Sequence, residues 1–294
     1  MENRLPKRSF ATFVCCVVIG CATFGRIQAA TISPEAALDR MYNFDFPNAL
    51  QILNQWNGAH PEDPLGHALA AATYLFSEFA RLHILDGEFF EDDKRIVEKQ
   101  GASADPKVRA SFYNEINKAK QLAQARLAKD PNDQNALFAY TISLGLTGDY
   151  VSLVEKRGVA SLAYSKEAQT YAVRLLKINP NYADAYITTG FSEYLVGSLP
   201  FFMRWFVHFD DTQGDKQLAI KRLQKVARDG HFLGPYARIL LSIIYLREHE
   251  PAKSEALLAQ LLQEFPENPL LKKELGKVKL LAQSGQQQPV AERQ

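Results

Sequence analysis

Four prolines in this chain each follow a small residue by the same interval of twelve positions. The pairs are Ala49 and Pro61, Ala119 and Pro131, Ala168 and Pro180, and Ser254 and Pro266. A small residue within an amphipathic segment lets two helix backbones approach closely, and a proline shortly afterwards ends the helix. Because the interval recurs four times, the sequence predicts an array of helical hairpins.

Helical periodicity of apolar residues extends along almost the whole chain, and no segment alternates as a β-strand does. The sequence therefore predicts an all-α fold, an α-solenoid of about five helix pairs with a C-terminal capping helix. The predicted pairs are 33–44 with 47–58, 63–100 (interrupted near Gly87) with 106–129, 133–146 with 149–178, 182–196 with 215–229, and 233–247 with 251–265, and the capping helix is 268–283.

These hairpins resemble the tetratricopeptide repeat (TPR), a unit of 34 residues with small residues at positions 8 and 20 and proline at position 32. The matching residues are Ala37, Ala49 and Pro61 in the first pair, Gly190 in the fourth, and Pro235, Tyr245, Ser254 and Pro266 in the fifth. The third pair is expected to turn at Gly148–Tyr150. The spacing of the terminal prolines exceeds whole repeats, so the array is irregular, with extra residues in the third pair and in the segment Val196–Gly214.

The resemblance implies a partner groove, because the first helix of each TPR pair lines the concave face. The residues expected there are Asn135, Phe138 and Ile142 from the third pair, Asp184, Ile187, Phe191 and Tyr194 from the fourth, and Tyr236, Ile239, Ile243 and Leu246 from the fifth. This lining is mostly apolar, and it lacks the cations with which the TPR peptide clamp holds a C-terminal carboxylate. An amphipathic helix of a protein partner or the chain's own insertion would cover such a groove.

The insertion is rich in aromatic residues. Within nine positions it contains Phe201, Phe202, Trp205, Phe206 and Phe209. Two interpretations stay open at this point. The segment folds back and plugs the superhelix, or it contacts a partner or a membrane surface.

The first 29 residues read as an export signal. A basic start at Arg4, Lys7 and Arg8 precedes an apolar stretch over 9–24, which is shorter than a membrane-spanning helix. A small-residue cleavage site near Ala29 and a lipobox ending at Cys21 are equally good interpretations. The protein is thus expected to be exported by a bacterium, as a periplasmic protein or as a lipoprotein tethered to a membrane through Cys21.

The remaining chain forms one repeat domain over 30–283, followed by a Gln-rich tail over 284–294 that is expected to be disordered. Without its basic N-terminal segment the body has a formal charge of about −2, and this balance argues against nucleic-acid binding.

We find no catalytic pattern in the sequence. The six histidines do not show the paired spacing of a zinc protease, and no phosphate-binding loop or nucleophile elbow is present. His83 with Asp86 and Glu88, and His208 with Asp210 and Asp211, are better explained as solvated bends than as metal sites. The sequence thus predicts neither enzyme activity nor a cofactor nor a metal.

Three hypotheses about function follow. The first is an exported, non-catalytic TPR-like scaffold that binds a protein partner in the cell envelope. The second is a protein that binds a lipid or an apolar small molecule, or acts at a membrane surface, through the aromatic insertion 199–209. The third is an enzyme with an unrecognised site near His67 and His83.

Overall fold

The computed structural model describes residues 32–86, 103–199 and 212–286, and every regular element in these ranges is helical. The eleven α-helices of this part of the chain are α1 (Pro34–Tyr42), α2 (Phe46–Ala59), α3 (Pro64–Arg81), α4 (Pro106–Lys129), α5 (Gln134–Asp149), α6 (Gly158–Ile178), α7 (Tyr186–Ser198), α8 (Lys216–Asp229), α9 (Gly234–Arg247), α10 (Pro251–Glu264) and α11 (Pro269–Gln286). Consecutive helices pack against each other, as five hairpins with α11 stacked on the last. The predicted all-α solenoid is confirmed.

The four prolines of the recurring interval occupy the same turn. Each is the second residue of a four-residue turn that joins one hairpin to the next helix. The turn is closed by a hydrogen bond from the fourth amide to the first carbonyl, and its four examples are Asp63 to His60 (3.0 Å), Asp133 to Asp130 (3.1 Å), Tyr182 to Asn179 (3.1 Å) and Asn268 to Phe265 (3.2 Å). Proline suits this position because its φ angle is already fixed at the value that the turn requires.

The small residues of the same interval are fully buried. Ala49, Ala119 and Ser254 have no exposed surface, and Ala168 is 1% exposed. A larger side chain at these positions would push neighbouring helices apart. The sequence interval thus marks a buried crossing and the turn that follows it.

The last residue of the turn decides how the next helix begins. Asp63 and Asp133 accept hydrogen bonds from amides of the first turn of α3 and α5, at 3.1 and 3.0 Å. Asn268 does the same for α11, at 2.9 and 3.1 Å. Tyr182 has no side-chain acceptor for this purpose, and the chain there forms a 3₁₀ turn over Ala183–Ala185 before α7 begins.

The expected turn of the third pair at Gly148–Tyr150 is wrong. Helix α5 runs to Asp149 and continues as a π-helical turn over Tyr150–Val154, and the bend follows at 155–157. Tyr150 and Val151 are buried and keep the helix in the core past the glycine. Gly148 lies within the helix and faces α6, where an added Cβ atom would make an ordinary contact of 3.5 Å with the Oγ of Ser165.

Helix α3 is shorter than predicted. It ends at Arg81, and the chain then turns through His83, whose φ of 57° is left-handed. Ile84 returns to the core with 3% exposure, which draws the chain out of the helical path. The expected interruption near Gly87 lies outside the described residues, as does the rest of 87–102.

Helix α5 is the central helix of the fold. The stretch Gln134–Val154 is long and apolar enough to span a membrane by length and composition alone, with a mean hydropathy of 1.3. However, 61% of its apolar 18-residue window is buried inside the protein, where the helix packs against α3, α4 and α6. Its apolar character is therefore explained by its place in the core.

The two ends of the array meet through side chains, at a surface that we call the seam. The Tyr42 and Phe265 rings lie 5.1 Å apart, and the Asn268 amide donates to the carbonyl oxygen of Tyr42 at 2.7 Å. Helix α1 also reaches the segment between α8 and α9, where a ring nitrogen of His231 lies 2.8 Å from a carboxylate oxygen of Glu35. The superhelix thus closes on itself within five hairpins.

The capping helix α11 ends three residues later than predicted and takes in the start of the expected tail; residues 287–294 lie outside the described part. Leu271, Leu275 and Val278 bury one face of α11 against the rest of the array. Lys272, Lys273 and Lys279 lie on its exposed face, and Lys277 is partly buried.

Candidate functional site

The inner face of the superhelix, where the partner groove was expected, is lined by aromatic rings that contact one another. Phe138 on α5 lies 6.0 Å from Phe232 and 5.1 Å from Tyr182, measured between ring centroids. Phe76 on α3 meets Tyr236 on α9 edge to face at 5.7 Å. These contacts connect the second and third hairpins with the fifth across the centre of the molecule.

The residues predicted to line the groove are consequently covered to different degrees. Four are buried, namely Phe138, Asp184, Ile187 and Tyr194. Seven are partly buried, namely Asn135, Ile142, Phe191, Tyr236, Ile239, Ile243 and Leu246. The chain itself covers part of the predicted groove, because Ile187 and Tyr194 pack against residues of α8 and α9, and Asp184 binds the segment before α9.

Two polar residues of the predicted groove, Asn135 and Tyr194, have hydrogen-bond partners within the chain. The Asn135 amide donates to Asp63 at 2.9 Å and so ties α5 to the turn before α3. The Tyr194 hydroxyl donates to Glu248 at 3.0 Å, which connects α7 with the end of α9. Because these polar groups form hydrogen bonds within the chain, they stabilise the packing of the array.

Asp184 has the most extensive internal role of the predicted groove residues. Its carboxylate accepts hydrogen bonds from the amides of His231 (2.9 Å), Phe232 (3.1 Å) and Leu233 (2.8 Å). Burial raises the pKa of Asp184, and the three amide bonds oppose that rise. This carboxylate organises the junction between α8 and α9, where the recurring proline turn is missing.

Asp149, the last residue of α5, is a partly buried carboxyl that sequence reasoning did not single out. Burial raises its pKa to about 7. Burial also raises the pKa of the Tyr236 hydroxyl, and the charge of Asp149 adds to this effect. A titratable group therefore faces the aromatic inner surface.

A charged cluster surrounds the π-helical turn after α5 and was also missed from the sequence. Glu155 accepts from Arg109 at 2.9 Å and from Tyr113 at 3.1 Å. Tyr150 stacks on the neighbouring Phe112 at 4.5 Å, and its buried hydroxyl has no hydrogen-bond partner in the structure. Burial raises the pKa of Tyr150 to about 12. The cluster holds α4 against the π-helical turn.

Apolar side chains are exposed at one end of the third and fourth hairpins, a surface that we call the apolar end. Val159 and Leu162 lie in the first turns of α6 with 87% and 44% exposure, and Leu195 lies in the last turn of α7 with 45%. Since α6 and α7 are consecutive packed helices joined by a tight turn, the three residues lie toward the ends of these two helices that are away from that turn.

The chain returns from the aromatic insertion at this same end. Glu193 of α7 accepts from the amides of Gln213 (3.0 Å) and Asp215 (2.8 Å). The amide of Gln169 donates to Thr212 at 3.2 Å. The insertion residues Phe201, Phe202, Trp205, Phe206 and Phe209 lie outside the described residues, as does Cys21.

The described residues contain no group of three or more His, Cys, Asp or Glu side chains that could hold a metal ion. His83 and Asp86 lie 3.7 Å apart, and Asp86 also accepts from Lys273 at 2.9 Å. This aspartate thus connects the segment after α3 with the capping helix α11. His208, Asp210 and Asp211 lie outside the described residues, as does Glu88.

Comparison with known proteins gives little further information. No protein-family model and no curated protein matches this chain. Among solved structures, a thermophilic TPR protein of Thermus thermophilus is similar in fold, with 15% sequence identity and a TM-score of 0.44. The match covers 84% of this chain and 97% of that protein.

The internal features of the chain define its class. The five hairpins, the proline turn used four times and the buried small residue before each turn make a TPR-like α-solenoid. This example departs from an open array because its ends meet at the seam.

Proposed function

We propose that this protein is a non-catalytic TPR-like scaffold that binds a protein partner in the bacterial cell envelope. The repeat fold supports a binding role, and the apolar end supplies the contact surface. The N-terminal segment, with its basic start, apolar stretch and Ala29 or Cys21 processing site, supports export.

The observation that carries this proposal is the exposure of Val159, Leu162 and Leu195 together. Single exposed apolar residues are common on soluble proteins, whereas several toward the same ends of two packed helices favour a surface that another molecule covers. The predicted groove offers less contact area, because four of its residues are buried. We therefore propose that the partner binds at the apolar end of the third and fourth hairpins.

Site-specific photo-crosslinking in the producing cell tests this placement. A photoreactive amino acid at Val159 or Leu195 should yield the same crosslinked protein, because both positions are exposed at the apolar end. The same amino acid at the exposed residue Lys118 on α4 is the control and should yield none.

Binding of the identified partner to purified protein then supplies the quantitative test. Leu195→Lys should weaken binding at least tenfold with no loss of thermal stability, since an exposed side chain contributes little to folding. Ala125→Lys, an exposed change on α4, should leave the affinity unchanged. Equal crosslinking at all three positions, or equal affinity of both variants, would reject the proposed surface.

The second candidate function is binding of a lipid, an apolar small molecule or a membrane surface through the insertion 199–209. The aromatic sequence of that segment and the exposed Leu195 shortly before it favour this function. Flotation with vesicles distinguishes it from protein binding. A protein that begins at Thr31 should float with the vesicles, and Trp205→Ala should abolish this; no flotation of the unmodified protein would remove the candidate.

A further inference from the structure

The exposed face of α11 combines lysines with leucines. Leu280 is 69% exposed and Leu281 is 48% exposed, on a helix that is otherwise well packed along its inner side. Lys272 and Lys279 are exposed as well, and at 100° per residue they lie about 80° and 100° to one side of Leu280, while Leu281 lies on its other side. The exposed side of α11 thus presents positive charge along one flank of an apolar strip.

The acidic residue of α11 does not offset this charge on the outer face. Glu274 is directed inward, with 9% exposure, and pairs with Lys277 at 3.1 Å. Lys273 pairs with Asp86 at 2.9 Å and remains half exposed. The two remaining lysines, Lys272 and Lys279, therefore give the face a net positive charge.

The shape of this face restricts what it can bind. Helix α11 is the last helix among the described residues, and within that part of the chain no second helix lies against its outer side to form a groove. A convex surface with lysines and leucines fits a planar, negatively charged layer, in which the amines meet phosphate groups and the leucines enter the headgroup region.

We infer that α11 is a peripheral membrane contact that binds the surface of a bilayer containing anionic phospholipid. This role goes beyond the binding of a protein partner and uses a different part of the molecule from the apolar end.

Co-sedimentation with vesicles tests the inference. The chain from Thr31 to Gln294 forms a compact unit of its own, so a protein that begins at Thr31 avoids the apolar N-terminal segment. It should bind vesicles of phosphatidylcholine with about 30% phosphatidylglycerol, should bind pure phosphatidylcholine at least tenfold more weakly, and should dissociate in high salt.

Two double variants that change the net charge equally distinguish binding through this face of α11 from non-specific electrostatic binding. Lys272→Glu with Lys279→Glu should weaken binding by on the order of 25-fold or more, given about fivefold for each lysine lost. Lys118→Glu with Lys166→Glu changes exposed lysines on α4 and α6 and should weaken binding much less. Leu280→Ser should weaken binding while circular dichroism confirms an intact fold.

Several results would overturn the inference. These are equal binding to both vesicle types, no binding to either, or equal loss in both double variants. Loss on Trp205→Ala without loss in the α11 variants would place membrane contact in the insertion instead. A dimer in solution that Leu280→Ser dissociates would show that a second copy covers this face. None of these results affects crosslinking at the apolar end, so the two proposals fail independently.

Discussion

At the scale of single residues, the same side-chain type has different roles according to its surroundings. Asp63 and Asp133 are predictable helix caps, since each follows the recurring proline by two positions. Asp184 accepts three amides from a segment 47 to 49 residues further along the chain, a role that only the folded array creates. It was expected in the groove because its position in the repeat unit follows from the sequence, whereas its hydrogen-bond partners do not.

Asp149 gives a testable dependence of stability on pH. Its folded-state pKa of about 7 lies above the ordinary value of about 3.9 in an unfolded chain. Between these values the folded protein holds a proton that the unfolded chain has released, so the free energy of unfolding falls as pH rises from about 4 to 7. Asp149→Asn removes this penalty and should be the more stable protein at pH 8, by about 1–3 kcal/mol after allowance for partial exposure.

Urea denaturation at pH 4 and at pH 8 measures this difference. Asp130→Asn, which removes a charge from an exposed turn, is the control for net charge. A stability difference between Asp149→Asn and the unmodified protein that is the same at both pH values would contradict the assignment.

At the scale of helices, tight crossings depend on small residues. Ala119 on α4 is fully buried, and Gly190 on α7 leaves room for Leu223, whose Cγ would lie 3.1 Å from an added Cβ. The sequence identified both positions, because their place in the repeat unit is fixed. The π-helical turn after α5 was not identified, since its apolar pattern continues that of the helix before it.

Ala119→Leu should destabilise the protein by about 1–3 kcal/mol, because the added atoms have no space between the packed helices. Ala125→Leu makes the same change on the exposed side of the same helix and should alter stability by less than about 0.5 kcal/mol. Thermal and urea unfolding of the two variants provide the comparison. If Ala119→Leu were as stable as its control, the tight crossing would not exist.

At the scale of the whole molecule, closure at the seam is the property that separates this array from an open one. The contact is made by a few side chains from α1 and from the turn between α10 and α11. A cavity of about 310 Å³ lies beside the seam, and Arg238 and Glu264 are among the residues that line it. A substitution at the seam can therefore disturb this contact while the core around α5 stays packed.

Phe265→Ala should open the seam, because it removes the ring packed on Tyr42 and leaves a cavity at a cost of about 3–5 kcal/mol. Hydrogen exchange should speed up in α1, α10 and α11 more than in α5. Glu267→Ala, in the same turn, alters an exposed side chain and should leave exchange in α1 unchanged. Equal acceleration in α5 would show that the ends do not open separately.

The sequence by itself determined the helices, the hairpins and the proline turns, because these follow from local periodicity, capping and backbone restriction. It also marked the buried crossings, whose spacing within the repeat is fixed. The tertiary structure alone decided that the ends meet, that Phe138 and Tyr194 are core residues, and that Leu195 and Leu280 are exposed. Closure depends on the sum of small rotations between successive hairpins, and no local pattern of residues records that sum.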